Sequence, residues 1–201
     1  DDVDSPAEAI PAGPLFISAI GVAADHPLSD RELILRVSSV RAALLDRATF
    51  IAIRYGFSFR TAVEAESKCA GRLEAWRRTL QENRTRVELA LKTAAPGGKR
   101  PDRHDFRSGA EYLRALRGAA EAAAPPAEFR AAVDKVIVPL AVRHRWLQRD
   151  SASIELAGLI ERNRLDDLAA AGEELRRAAA GVPFLLSAPW PLEVFADADH
   201  E

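Results

Sequence analysis

The chain has 201 residues, 28 basic against 30 acidic, and a net charge of -2 at neutral pH. That near-balance argues against a protein that coats nucleic acid through a basic face, and no apolar run approaches the ~20 residues that span a bilayer. One cysteine, Cys69, excludes an internal disulfide and a CxxC zinc site, so a reducing cytoplasm is the expected compartment.

Alanine supplies 39 residues and lysine only 4, so arginine carries almost all the positive charge. The chain opens at Asp1 and contains no methionine, so native residues are expected to precede it. Residues 1–13 are acidic and rich in proline and small side chains, the composition of a disordered tail. Leu15 to Ala24 reads as a strand ended by His26-Pro27, and Ser29 as the N-cap of a helix with Glu32 in the capping-box position. Thr49 to Phe59 is β-rich and reads as a strand broken at Gly56. A helix follows from Thr61 to Gln81.

Arg86 to Ala94 alternates, with Val87, Leu89 and Leu91 on one face, which predicts a half-buried strand. Pro96 to Arg107 is a loop. Ser108 caps a helix, with Glu111 completing a capping box and Tyr112 and Leu113 expected in the core. Pro125-Pro126 breaks that helix and a second continues from Ala127 to Val138. Val142 to Gln148 and Ser153 to Glu161 read as a hairpin across Arg149-Asp150-Ser151, Leu165 to Ala180 as a helix, and Phe184 onward as a last strand that stops regular pairing at its prolines.

The fold class is therefore α+β in two domains: 14–84, a reduced ferredoxin-like domain, and 85–196, a ferredoxin-like βαββαβ domain with a broken first helix. Tails are expected at 1–13 and 197–201.

Chemistry-bearing motifs are scarce. The histidines, His26, His104, His144 and His200, do not pair at ligand spacing, and GxGxxG, GxxxxGK[ST] and GxSxG are missing. No metal or cofactor is expected. Cys69 lies inside a predicted helix and would need a base to act as a nucleophile. Two segments stand out. In the first, Arg54, Tyr55, Gly56, Phe57 and Phe59 gather three aromatics around a glycine: either a turn with aromatics packed inward or an aromatic surface for a partner. In the second, Pro189 and Pro191 bracket Trp190, with Phe195 beyond. The prolines stiffen the backbone, so the indole either covers a domain junction near Tyr55 to Phe59 or anchors a partner.

Read in order, several blocks resemble the gas vesicle GvpF/GvpL family: IAIRYGFSFR at 51–60, VELALK at 87–92, SGAEYLRALR at 108–117, SIELAGLIERNRLDDL at 153–168 and LLSAPWPLEVF at 185–195. Departures include Ala52 for a proline, Ala188 for a glycine, and Leu192-Glu193-Val194 for Pro-Tyr-Ser. The resemblance implies a non-enzymatic accessory protein of gas vesicle assembly, cytoplasmic and vesicle-associated. Its implied partners are the hydrophobic shell protein and other accessory proteins, with no nucleic acid or membrane. Two alternatives stay open: a small-molecule-binding or regulatory α+β module, and an enzyme using Arg54, Tyr55, His104 or His144.

Overall fold

The computed structural model describes residues 7–27, 29–94, 102–122, 125–148, 153–179 and 181–196. The chain divides into two compact units, Asp1–Thr85 with Pro191–Glu201, and Arg86–Trp190.

The first unit opens with a hairpin of β1 (Glu8–Ala12) and β2 (Leu15–Ala19). Gly13 takes a φ of 52° in the two-residue loop, a conformation such loops require. The pairs Ile10–Ile17 and Ala12–Leu15 share one face. That face meets a cluster built around Ala12, Ile17, Ala65, Cys69 and Leu73. So the tail expected over 1–13 contains a strand. The acidic, proline-bearing composition hid an alternation in which Ile10 and Ala12 point one way and Ala9 and Pro11 the other. The strand expected over Leu15–Ala24 ends at Ala19.

Helix α1 (Arg31–Arg47) is capped by Asp30 instead of Ser29, with the Asp30 carboxylate accepting from the Glu32 amide at 3.2 Å. The single helix expected over Thr61–Gln81 is two, α2 (Ala62–Cys69) and α3 (Leu73–Glu82). The break at Ala70-Gly71-Arg72 lets Cys69 and Leu73 enter the same core cluster. Thr49–Phe59 is not a strand. It makes one isolated parallel bridge, Ile51 to Leu192, and is otherwise irregular.

The second unit is built on β3 (Arg86–Ala94), followed by α4 (Gly109–Ala122), α5 (Ala127–Val136), β4 (Ala141–Gln148), β5 (Ser153–Glu161), α6 (Leu165–Ala178) and β6 (Phe184–Trp190). The four strands lie in the order β4-β5-β3-β6, antiparallel throughout. This is an α+β architecture. The turn expected at Arg149-Asp150-Ser151, the loop over 95–101 and the terminal stretches 1–6 and 197–201 lie outside the described residues.

Strand β3 is paired on both sides and buried along most of its length, so it is central and not half-buried; even Glu88 and Thr93 are inaccessible. Helix α5 packs on α6 and α6 on β6. Phe129 of α5 meets Phe184 of β6 with ring centroids 5.8 Å apart. The Ser108 hydroxyl accepts from the Glu111 amide at 3.1 Å, as the capping box requires. The expected core role of Leu113 fails, since it is 65% exposed. Tyr112 is partly buried against Phe106, centroids 5.9 Å apart, beneath the Arg103 guanidinium.

Gly158 of β5 admits the Leu89 side chain: a Cβ there would stand 3.0 Å from Leu89 Cγ. Leu89 is fully buried and has little room to yield. Gly158→Ala is expected to cost about 1–3 kcal/mol through overpacking, whereas Leu113→Ala should change stability by less than ~0.5 kcal/mol. Urea unfolding of the two variants checks both.

Candidate functional site

The turn at residues 53–60 is held from several sides. Arg41 of α1 donates from Nη2 to the Ile53 carbonyl at 2.6 Å. Lys68 of α2 donates from Nζ to the Ser58 carbonyl at 2.8 Å. The Phe57 amide donates to the Arg54 carbonyl at 3.1 Å, closing the turn around Gly56. Gly56 has a φ of 89°, a backbone that side-chain-bearing residues rarely adopt. A Cβ there would touch nothing, so the glycine serves conformation and not space.

The three aromatics divide. Phe59 turns inward onto the cluster of Ala65, Cys69 and Leu73, beside Ile53 and Trp76. Tyr55 and Phe57 stay 39% exposed. Phe57 is nonetheless oriented: its ring lies edge-on to Phe59 at 6.2 Å, and the Lys68 ammonium sits 5.7 Å from its centroid. Arg54 and Arg60 are exposed at either side.

Glu64 completes the clamp. Its carboxylate pairs with Lys68 Nζ at 2.8 Å and accepts from the Arg60 amide at 2.8 Å. The Lys68 hydrogen bond, then the Arg60 amide, hold its carboxyl below the ordinary value of 4.5. The Cys69 thiol is pushed up by burial, only partly opposed by Arg72, which favours the un-ionised form.

The second sequence-singled segment splits in two. Trp190 ends β6 and is 50% exposed, its indole N–H donating to Ser187 Oγ at 3.0 Å. Pairing does not stop at the prolines as expected. It passes an irregularity after Ser187, where the Ala188–Pro189 peptide is cis, and resumes at Trp190 opposite Glu88. This is possible because β6 is an edge strand, where a missing amide donor leaves no ladder bond unmade. Pro191 and Phe195, by contrast, are buried and belong with the first unit. There the Leu192 amide donates to the Phe50 carbonyl and the Leu192 carbonyl accepts from the Ala52 amide, both at 2.9 Å. Leu192 is completely inaccessible, and Thr79 Oγ1 donates to the Ala196 carbonyl at 3.2 Å. In the sequence Leu192 stands out only as a departure from the family ending, with no local sign of its burial.

The remaining candidates stand in ordinary surroundings. His144 is exposed on β4, and the His104 amide caps onto Asp102 Oδ1 at 3.0 Å in a short 3-10 turn. Among the described residues no group of three or more His, Cys, Asp or Glu could hold a metal ion, and no helix is long and apolar enough to cross a membrane.

Fold and surface together define a two-unit α+β protein that displays a braced aromatic turn. A family model described as gas vesicle synthesis protein GvpL/GvpF matches residues 2–196. The chain belongs to that family, and its role lies in gas vesicle assembly. No curated protein and no solved structure gives a significant match.

A carboxyl depressed in the folded state stabilises above its unfolded pKa, and that contribution is lost as pH falls through the folded value. The stability difference between wild type and Glu64→Gln is therefore expected to be full at neutral pH and to fade in acid below 4.5. Urea unfolding of both proteins, from neutral to about pH 3, measures it.

Proposed function

We propose that this protein is a non-enzymatic accessory factor in gas vesicle assembly that binds the hydrophobic shell protein, fellow accessory proteins, or both, in the cytoplasm at the growing vesicle. The observation that carries this reading is the family match across nearly the whole chain. The second unit fits a ferredoxin-like domain: strand, helix pair, strand, strand, helix, strand, with the first strand central beside the third and the last.

The physical case rests on the apolar nature of the proposed cargo. A shell subunit that has not yet assembled carries apolar surface that aggregates unless something covers it. Covering it calls for rigid aromatic side chains that lose little entropy on binding. Tyr55 and Phe57 answer that description: exposed, either side of Gly56, and mounted on a turn braced by Arg41 and Lys68. Trp190, with its indole tied to Ser187, is a second anchor of the same kind on the other unit.

Affinity capture of the shell protein by the full tagged chain tests the proposal. Tyr55→Ala/Phe57→Ala should lower capture about tenfold, the loss of a modest hot spot, with an unchanged melting temperature. Phe59→Ala should instead cost about 3 kcal/mol of stability, as for a large-to-small core change. Capture that survives the double variant at full strength would remove the turn from the binding surface, and no capture of any vesicle protein by wild type would overturn the function.

A further inference from the structure

Helix α1 spans 17 residues but buries only Leu33 and Leu45 fully. Its inner side is completed by the half-buried Arg36, Val37, Val40, Arg41 and Leu44. The opposite side is exposed and unlike an ordinary solvated helix face. It carries Ile34, Leu35, Ser38, Ser39, Ala42 and Ala43 and no charge across those turns. Ile34 and Leu35 are 42% and 56% exposed. Ser38 spends its hydroxyl on the Ile34 carbonyl at 2.9 Å, so it presents little polarity outward. The exposed side of α3, by comparison, has an Arg77–Glu74 ion pair and an Arg77–Gln81 hydrogen bond. Solvent-facing helix surfaces normally carry charge in this way.

Charges return at the two ends of the α1 face. Arg31 and Glu32 lie at the start, Asp46 and Arg47 at the end, all exposed and without an ion-pair partner among the described residues. At 3.6 residues per turn, Arg31, Leu35, Ser38, Ser39, Ala42 and Asp46 fall along one stripe. The stripe is large at one end, small at the other, and oppositely charged at its tips.

We propose that the exposed face of α1 is a self-association surface, pairing with α1 of a second copy of this chain in antiparallel orientation about a two-fold axis near Ser38 and Ser39. In that register Leu35 of each copy meets Ala42 of the other, and Arg31 meets Asp46. Large side chains fill the space that small ones leave, and each two-fold-related end closes with an ion pair. A parallel pairing would set Arg31 against Arg31 and Asp46 against Asp46, so charge selects the antiparallel one. One helix pair makes a small interface, so association belongs in the micromolar range and not the nanomolar. The pairing does not depend on the function proposed above.

Sedimentation velocity of the full chain across the micromolar range reads the association directly. Wild type is expected to shift from monomer to dimer with concentration, and to shift less in high salt. Asp46→Arg sets two arginines together at both ends and should weaken dimerisation about tenfold. Arg31→Asp/Asp46→Arg restores opposite charges and should recover it. Ala42→Glu should abolish it, with an unchanged far-UV circular dichroism spectrum showing the helix intact. A wild type that stays monomeric, or a dimer indifferent to both Asp46→Arg and Ala42→Glu, would overturn the proposal.

Discussion

The second unit depends on β3 holding its register. Its nine residues pair with β5 from Arg86 opposite Glu161 to Ala94 opposite Ser153. A slip of one residue would turn Val87, Leu89 and Leu91 away from their core face and bring Glu88 and Lys92 onto it. Directly opposed charges stand at one end of the ladder and two pairs short of the other: Arg86 pairs with Glu161 at 2.6 Å and Lys92 with Glu155 at 3.7 Å. Partly exposed pairs such as Arg86–Glu161 add little to stability, but a slipped register would lose them, so they favour one alignment. Gly158 favours the alignment sterically, because a Cβ there would crowd Leu89, 3.0 Å from its Cγ. With β3 fixed, β6 takes its other edge, and α6 reaches Leu186 through Gly172, where a Cβ would stand 3.1 Å away.

The first unit is closed by residues from the far end of the chain. Leu192 exchanges backbone hydrogen bonds with Phe50 and Ala52, and Ala196 accepts from Thr79. These are contacts of high sequence separation, whose closure entropy must be met before they stabilise anything. The consequence is an order of events: the residue 50–52 segment cannot acquire its strand partner until the chain beyond β6 exists. The isolated bridge also explains why Thr49–Phe59 looked like a strand. Its β-branched and aromatic residues suit an extended backbone, but one short partner supports only one bridge.

The turn proposed to bind a partner is a connection braced by helices. The 53–60 turn has no regular secondary structure, yet its carbonyls at Ile53 and Ser58 are satisfied by arginine and lysine side chains from α1 and α2. Those bonds preserve the orientation of Tyr55 and Phe57 without burying them. A preorganised exposed aromatic loses less entropy on contact than one on a free loop, which is the physical value of bracing it.

The sequence by itself determined the α+β class, β3, β4, β5 and the Ser108 and Thr61 helix starts, because alternation and capping are local properties written within a few residues. The family blocks were legible for the same reason, as were the aromatic turn and its glycine. Only the tertiary structure decided which side of each boundary a residue serves. Phe59 goes inward while Tyr55 and Phe57 do not, Leu113 stays in solvent, and Phe195 joins the first unit while Trp190 ends a strand of the second. Residues 8–12 form a strand despite a composition that suits a tail, because Leu15–Ala19 and α2 supply partners for one face. Burial depends on what distant segments of chain cover, and a local pattern holds no record of them.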